Sequence, residues 1–162
     1  MSVLRSPQFG AILFRASELI SSQGSEVFQR LGISLPASRI SIVLAIQAKG
    51  ALSSTELSEH IGLSRQLIES RLKPSIKEGF FISLIDNNDS RRRIYDIAES
   101  AKTEADRIVA IMIDFEQVYS KLWQEVGIDL EDALKLMEAA LGMQSLTERL
   151  FKEFPKYHQE VK

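Results

Sequence analysis

Hydrophobic residues recur at the three- and four-residue spacing of amphipathic helices over most of this 162-residue chain. Glycine, proline or capping residues separate the stretches. The pattern predicts six helices, at about residues 8–30, 36–49, 53–61, 65–78 and 99–125 and from 129 to about 154. Two short β-branched and aromatic segments, residues 80–85 and 94–97, flank a polar loop and predict a β-hairpin.

The centre of the chain has the order helix, tight turn, helix, hairpin. Ser53 and Glu56 have the spacing of a capping box, which marks the start of a helix. Gly62 suits the following turn, and Ser64 suits the N-cap of the next helix. This order predicts a mainly α fold with a minor β part: a winged helix-turn-helix with a two-stranded β wing.

Composition narrows the possible functions by exclusion. A hydrophobic content of 44% is enough for one domain with a sizeable core. The chain has no cysteine and two distant histidines, so we expect no disulfide, no metal site and no cofactor. No apolar run approaches the ~18 residues of a membrane span, and the first residues lack the apolar core of a signal peptide. We therefore expect a soluble, cytoplasmic protein without a membrane partner.

The net charge of −2 hides an uneven distribution. From Ser64 to Arg93 there are seven basic and four acidic residues, a local charge of +3 that leaves −5 for the rest of the chain. A basic patch on an acidic body attracts polyanions to one face. Together with the helix-turn-helix, this patch indicates double-stranded DNA as the partner.

The second helix of a helix-turn-helix lies in the major groove of DNA. In the fourth predicted helix, Ile68, Leu72 and Ile76 recur at helical spacing and should be buried. The residues that then face outwards are Arg65, Gln66, Glu69, Ser70 and Lys73. Arginine pairs with guanine and glutamine with adenine. Hydroxyl residues near helix N-termini are expected to contact phosphate, and these are Ser54, Thr55 and Ser64.

Two features of this surface have competing interpretations. Glu69 would repel phosphate unless it accepts a hydrogen bond from cytosine N4, and we favour pairing with Arg65 and Lys73, four residues away on either side. A run of loop arginines is often only a solvated surface. Within a hairpin that follows a helix-turn-helix, we interpret the run as DNA contacts in the minor groove or on phosphate. A structural role for one of the three is the open alternative, and the members of the run are Arg91, Arg92 and Arg93.

In the loop, Asp89, Ser90 and Arg91 precede the strand at residues 94–97. An aspartate, one residue and an arginine before a strand form the wing motif of the MarR family of winged-helix transcriptional regulators, which this chain resembles. The segment from Ser64 to Gly79 is also similar in length to the family's recognition helix. The resemblance covers nearly the whole chain, because length, element order and wing motif agree.

The resemblance implies further roles. Asp89 and Arg91 would hold the wing, with Arg91 or a neighbour reaching the minor groove. Within a single domain over residues 1–162, residues 34–98 would form the DNA-binding lobe, residues 1–33 and 99–155 the dimerisation helices, and residues 156–162 a tail. A small aromatic or amphipathic ligand would bind in a cleft between the dimerisation helices and the lobe.

Three residues depart from the family's pattern. Ala98 stands where a threonine usually caps the fifth helix. Pro74 lies inside the recognition helix, where proline removes a backbone hydrogen bond, so we expect a bend near Ser70 or an offset last turn. Glu69 lies on the outward face. The second and third departures bear on DNA affinity and on the operator sequence.

Apolar residues in the terminal helices exceed what a lone winged helix can cover, which independently favours a homodimer. The residues expected at its interface are Phe9, Leu13, Phe115, Tyr119, Leu146, Leu150 and Phe151, with Val3, Leu4 and Trp123 as further candidates. Tyr119 and Trp123 have the alternative role of lining a ligand pocket. A two-fold dimer would place two recognition helices about 34–36 Å apart and favour a roughly palindromic operator.

The preferred hypothesis is a sequence-specific transcriptional regulator, a ligand-responsive repressor that blocks polymerase by occupying a promoter. An enzyme is not predicted, because the chain has no Gly-rich phosphate loop, nucleophile elbow or metal-ligand spacing. A winged-helix scaffold for protein interactions, with little or no specific DNA binding, is the second hypothesis. It rests on Glu69, Pro74 and the acidic total charge.

Overall fold

The computed structural model describes residues 6–86 and 89–159. The chain divides into two compact units, Met1–Met112 and Ile113–Lys162. Two predicted interface residues, Val3 and Leu4, lie outside the described residues. Positions 87 and 88 of the wing loop and the last three residues of the predicted tail lie outside them as well.

Helices dominate the described residues. They are α1 (Ser6–Arg30), α2 (Ile40–Lys49), α3 (Ser54–Ile61), α4 (Arg65–Lys77), α5 (Lys102–Val126), α6 (Leu130–Met143) and α7 (Leu146–Glu153). The strands are β1 (Leu52–Ser53), β2 (Phe81–Ile85) and β3 (Arg93–Ile97). Short 3₁₀ turns cover Ala37–Arg39, Glu99–Ala101 and Pro155–Gln159. This order confirms the predicted fold class, a mainly α winged helix-turn-helix.

The core of the first unit forms where the apolar positions of helices and hairpin converge. Its fully buried large side chains are Ile42, Val43, Leu57, Ile68, Leu72, Phe81 and Ile108. Ile68 and Leu72 are four residues apart, so they lie on one face of α4, as predicted. Burying each such side chain contributes about 1.5–3 kcal/mol. This packing fixes the rotation of α4 and leaves its opposite face exposed.

The sheet has three antiparallel strands in the order β1-β3-β2. Phe81 pairs with Ile97 and Ile85 with Arg93, which places the loop arginines at the turn of the β2–β3 hairpin. On its other side β3 pairs with β1, through Leu52 with Tyr95. The prediction contained only the hairpin, because a two-residue strand has no readable alternation of polar and apolar residues. β1 joins the wing to the start of α3.

Pro74 does not end α4, which is helical from Arg65 to Lys77. The N–H of Glu78 donates to the carbonyl of Pro74 at 2.9 Å and closes the last turn. The adjacent Ser75 is fully buried, and its Oγ accepts from Arg39 Nη1 at 2.7 Å. Arg39 also contacts Glu78 Oε2 at 2.7 Å. Helix α4 is therefore continuous through Pro74, and these contacts secure its end.

The second unit contains a break that the sequence pattern did not predict. α6 ends at Met143, and α7 begins after Ser145, so the expected continuation of one helix to residue 154 is wrong. Ser145 and Glu148 form a capping box, with Ser145 N–H donating to Glu148 Oε2 at 2.7 Å. Arg149 donates to the carbonyl of Ala140 at 2.7 Å across the break. The predicted cap of α6 by Asp129 is confirmed.

Two other helix starts differ from prediction. The 3₁₀ turns Ala37–Arg39 and Glu99–Ala101 precede α2 and α5, which begin a few residues later than expected. Ala98 offers no side-chain cap, in agreement with the loss of the family's threonine. The predicted tail at residues 156–162 begins inside a third 3₁₀ turn, Pro155–Gln159.

Candidate nucleic-acid interface

The turn between α3 and α4 is built from caps. Ser53 Oγ accepts from the N–H of Glu56 at 3.3 Å, and Glu56 Oε2 accepts from the N–H of Ser53 at 2.8 Å, which confirms the capping box. Gly62 ends α3 with φ of 78°, a left-handed conformation that costs other residues energy. Ser64 Oγ accepts from the N–H of Leu67 at 3.3 Å and caps α4. These caps fix the direction of α4.

The outward face of α4 is exposed as predicted. Its polar side chains are Arg65, Gln66, Glu69, Ser70 and Lys73. Ser70 Oγ donates to the carbonyl of Leu67 at 2.8 Å, so its hydroxyl oxygen remains as an acceptor. Leu67 is 38% exposed beside this face and was not among the predicted contacts. An apolar side chain there suits the methyl group of thymine.

Glu69 has two partners rather than the expected pair of cations. Its Oε1 accepts from Arg65 Nε at 2.9 Å and from Ser54 Oγ at 3.0 Å. Lys73 forms no ion pair with it in the part of the chain that the structure describes. The Arg65 hydrogen bond, followed by the Ser54 hydroxyl, lowers the pKa of Glu69. The predicted pairing of Glu69 is therefore confirmed for Arg65 alone.

The three hydroxyl residues predicted to contact phosphate differ in access. Thr55 and Ser64 are exposed. Ser54 is 7% exposed, and its hydroxyl donates to Glu69. The Ser54 side chain therefore connects α3 to α4, and its predicted phosphate contact stays a prediction.

Asp89 shapes the tip of the wing. Its Oδ1 accepts from the N–H of Arg91 at 2.9 Å, and its carbonyl accepts from the N–H of Arg92 at 2.9 Å. The carbonyl of Arg92 then accepts from the N–H of Asp86 at 2.9 Å. Asp89 thus lies where the wing-structural role requires, and it acts through the backbone of the following residues.

Arg92 connects the wing to α3 through an ion-pair network of Arg92, Glu56 and Asp86. Its guanidinium pairs with Glu56, lies 3.5 Å from Asp86 Oδ2 and donates to Ser53 Oγ at 3.2 Å. The Arg92 hydrogen bond, with smaller effects from Ser53, lowers the pKa of Glu56 to about 2. No local spacing could have indicated this pairing, because Glu56 and Arg92 are far apart in sequence.

This network gives Arg92 a structural role in the wing, and the predicted DNA contacts of the three arginines stay predictions. The arginine whose side chain holds the wing is Arg92, which was predicted to contact DNA. Arg91, predicted as wing-structural, contributes its backbone N–H, and its guanidinium forms no hydrogen bond or ion pair within residues 6–86 and 89–159. Arg93 is exposed, with Nη1 3.4 Å from Ser83 Oγ. Arg91 and Arg93 are therefore the wing cations that point to solvent.

A concave space of about 700 Å³ brings these elements together. Its lining comes from the first turns of α3, the N-terminal part of α4 and the wing: Ser53, Ser54, Thr55, Glu56, Glu59, Arg65, Glu69, Arg91, Arg92, Arg93 and Tyr95. Four residues of the predicted set lie outside this lining: Ser64, Gln66, Ser70 and Lys73. The arrangement suits an extended anion better than a small apolar ligand, because four arginines and several hydroxyls line it, and two of its three glutamates are paired with arginines.

The second unit holds a separate pocket of about 570 Å³ between α5 and α6. Tyr119 and Trp123 stack along one wall, with ring centroids 5.7 Å apart. Ser120 and Gln124 add polar groups, and the acidic lining residues are Glu116, Asp129 and Glu131. No lysine or arginine lines this pocket within the described part of the chain.

No group of three or more histidine, aspartate and glutamate side chains in residues 6–86 and 89–159 is arranged to hold a metal ion. None of the helices described has a stretch long and apolar enough to cross a membrane.

No protein-family model matches the sequence, and a comparison with curated proteins finds no match either. Solved structures do show a likeness of fold. The transcriptional regulator MosR of M. tuberculosis, solved in complex with DNA, is 16% identical with a TM-score of 0.65, over 84% of this chain and 98% of that one.

Two further structures are similar. The transcriptional repressor CouR, bound to a 23-mer DNA duplex, is 19% identical with a TM-score of 0.61, over 87% of this chain and 99% of that one. Apo MarR from E. coli is 11% identical with a TM-score of 0.55, over 84% of this chain and 96% of that one. At these identities the likenesses establish the fold, and they confirm the structural resemblance predicted from the wing motif.

Proposed function

We propose that this chain is a MarR-type transcriptional regulator that binds double-stranded DNA with sequence preference. The observation that carries the proposal is the shared concave space in which α4 and the wing present Arg65, Arg91 and Arg93 together. A helix with an exposed polar face can enter the major groove, and wing arginines beside it can reach the minor groove or phosphate. No catalytic step is part of the proposal.

The acidic residues of the concave space do not argue against DNA binding, because ion pairs with arginines offset the charge of two of them. Glu56 pairs with Arg92, and Glu69 pairs with Arg65. Arg91 and Arg93 then remain for the polyanion. MosR and CouR, whose folds are similar, were each solved with DNA, which supports the same partner here.

The proposal includes a homodimer that acts as a repressor in the cytoplasm, where it would meet a promoter. Several residues predicted at the interface have exposed apolar side chains: Phe9 is 50% exposed, Leu146 71% and Leu150 46%. Leu13, Phe115, Tyr119 and Phe151 are half-buried. Exposed apolar surface of this extent favours association. A two-fold dimer would bind a roughly palindromic operator.

The scaffold hypothesis loses two of its three arguments. Pro74 leaves α4 continuous, and Glu69 is held by Arg65 and Ser54. The acidic total charge remains, but it belongs mainly to residues outside the segment from Ser64 to Arg93.

An effector ligand is the last part of the proposal. The pocket of about 570 Å³ beside Tyr119 and Trp123 has the size of a small-molecule site. Its carboxylates favour neutral or cationic aromatic compounds over anionic ones. Because Trp123 is the only tryptophan of the chain, its fluorescence would report binding when neutral, cationic and anionic aromatic compounds are titrated in turn.

Fluorescence anisotropy tests the DNA proposal. The full chain is titrated against the duplex upstream of its own gene, against duplexes selected from a randomised pool and against a scrambled duplex, over a series of salt concentrations. We expect preference for the selected duplex and a steep loss of affinity with salt. Arg91→Ala and Arg93→Ala should each reduce the salt slope by about 1.

Lys121→Ala serves as the matched control, because Lys121 is an exposed cation of the second unit that does not line the concave space. It should leave the salt slope unchanged. Equally weak binding of wild type to selected and scrambled duplexes would contradict the proposal and favour the scaffold hypothesis.

A further inference from the structure

We infer that Glu69 is a positioning residue for base recognition: it holds Arg65 so that the two terminal amino groups of the guanidinium face a guanine in the operator. The inference rests on the proposed function, since it concerns how the same surface selects its DNA sequence. Three residues form the contact: Arg65 and Glu69 of α4 and Ser54 of α3.

One carboxylate oxygen connects the three residues. Glu69 Oε1 accepts from Arg65 Nε at 2.9 Å and from Ser54 Oγ at 3.0 Å. Ser54 is 7% exposed and lies in the first turn of α3, next to the capping box of Ser53 and Glu56. The carboxylate is therefore anchored to a second helix whose position is fixed, and Arg65 is held relative to both helices.

The shape of the Arg65 guanidinium decides which of its N–H groups remain available to a base. With Nε bound to Glu69, Nη1 and Nη2 are the edge left for a partner. Two parallel donors match O6 and N7 of guanine, the pair that arginine contacts in the major groove. The Arg65 side chain is 66% exposed, so without this contact it would sample many rotamers. Holding it in one orientation reduces the entropy lost on binding.

An ordinary surface ion pair explains the geometry less well. Along a helix, an acidic residue four positions before a basic one is the more favourable order, and Glu69 and Lys73 have that order. In the structure Glu69 instead contacts Arg65, which precedes it, and adds Ser54 from another helix. This choice places the carboxylate behind Arg65 at the N-terminal end of α4, the part of a recognition helix that meets base edges.

The carboxylate also has an electrostatic cost. A negative charge near phosphates weakens binding to every DNA sequence, whereas the positioning of Arg65 strengthens binding only where guanine is present. The two effects together raise the ratio of specific to non-specific affinity. The lowered pKa of Glu69 is consistent with this role, because the side chain stays ionised at neutral pH.

The test is selection from a duplex pool randomised over about 20 base pairs, two turns of DNA. Full-length wild type, Glu69→Ala, Glu69→Gln, Arg65→Ala and the double variant Arg65→Ala with Glu69→Ala are compared. Affinities for the selected duplex, for single-base changes in it and for a scrambled duplex are then measured by anisotropy. Thermal unfolding of each variant verifies that the fold is retained.

We expect wild type to select a guanine in each half-site. Glu69→Ala should reduce discrimination at that guanine by roughly tenfold or more while scrambled DNA binds more tightly. Glu69→Gln should retain the discrimination, because an amide oxygen still accepts from Arg65 Nε and Ser54 Oγ, and should bind all sequences more tightly. In the Arg65→Ala background, Glu69→Ala should not change base preference.

Unchanged guanine discrimination in a folded Glu69→Ala variant would overturn the inference while the proposed function stands. Equal loss of affinity for all duplexes would also overturn it, because that result marks a purely structural contact. If wild type itself selects no sequence, the proposed function fails, and the inference fails with it.

Discussion

Arg92 and Glu56 show how individual residues set the position of the wing. Residues that are distant in sequence form this ion pair, and Ser53 and Asp86 extend it. The neighbouring Arg91 and Arg93 differ from Arg92 in environment although the three are alike in type. Adjacent residues in a turn point in different directions, so one arginine meets the protein while its neighbours face solvent.

The ion pair of Arg92 and Glu56 predicts that the stability of the fold decreases at acidic pH. The folded-state pKa of Glu56 is about 2, below the ordinary 4.5, so the ionised carboxylate stabilises the fold above pH 4.5. This contribution is lost as the pH falls from 4.5 towards 2. At pH 7, Glu56→Gln should lower the free energy of unfolding by about 0.5–1 kcal/mol, a modest value because the pair is partly exposed.

Denaturant unfolding of wild type and Glu56→Gln at several pH values measures this effect. Glutamine keeps the capping box, so the difference reports the charge. The two proteins should converge in stability near pH 2. A difference that stays constant from pH 7 to pH 2 would refute the assignment, and Glu99→Gln, at an exposed pair with Lys102, provides the control.

At the scale of elements, α4 combines a favourable start with an unfavourable residue near its end. Ser64 caps it, and Ile68 and Leu72 attach it to the core. Pro74 removes one backbone hydrogen bond, and Arg39, through Ser75 and Glu78, secures the turn that follows. Tertiary contacts thus override a local preference that by itself argues against a continuous helix.

Pro74→Ala should therefore stabilise the protein. Alanine restores an N–H donor and has a higher helix propensity, while the loss of proline's restriction on the unfolded chain offsets part of the gain. We expect a net increase of about 1–2 kcal/mol in the free energy of unfolding. DNA affinity should remain within twofold of wild type, because the N-terminal half of α4 is unchanged.

Chemical denaturation and the anisotropy assay measure the two quantities. Ala45→Pro is the reciprocal control: it places proline in the buried middle of α2 and should destabilise strongly. If Pro74→Ala lowers stability, the proline has a role that the contacts of α4 do not reveal.

At the scale of the whole molecule, the solvent-facing cations of α4 and the wing lie apart in sequence from the apolar residues proposed for the dimer interface. The cations that face solvent near α4 and the wing belong to the first unit. The second unit carries exposed apolar side chains, among them Leu146, Leu150 and Phe154. A polyanion and a second copy of the chain would therefore engage different sets of residues.

Leu150→Glu should disrupt the proposed dimer. A two-fold interface contains each residue twice, and burying a leucine contributes about 1.5–3 kcal/mol. The dissociation constant of the dimer should therefore rise by about 100-fold or more. Operator affinity should fall with it, because a monomer contacts one half-site. Sedimentation velocity measures the dimer, and anisotropy measures the DNA binding.

Lys152→Glu is the control on the same helix, since Lys152 is exposed and faces away from Leu146 and Leu150 in a helical projection. It should leave the dimer intact. A Leu150→Glu protein that sediments like wild type would exclude α7 from the interface.

Much of the architecture followed from local patterns. The capping box of Ser53 and Glu56, the turn at Gly62, the caps at Ser64 and Asp129 and the apolar stripes act over three or four residues, so they were visible in the sequence. The break before α7 was missed because its apolar stripe continues across Gln144. The strand β1 was missed because two residues carry no periodicity.

By itself the sequence determined the order of α1 to α6 and the hairpin, the buried face of α4 and the presence of a basic segment around the wing. These properties depend on neighbours within one helical turn or one hairpin. Tertiary structure alone decided which arginine holds the wing, which hydroxyl is buried and that Glu69 contacts Ser54 in addition to Arg65. Those outcomes depend on residues far apart in the chain, such as Glu56 with Arg92 and Ser54 with Glu69, whose proximity arises only when the helices and the hairpin pack together.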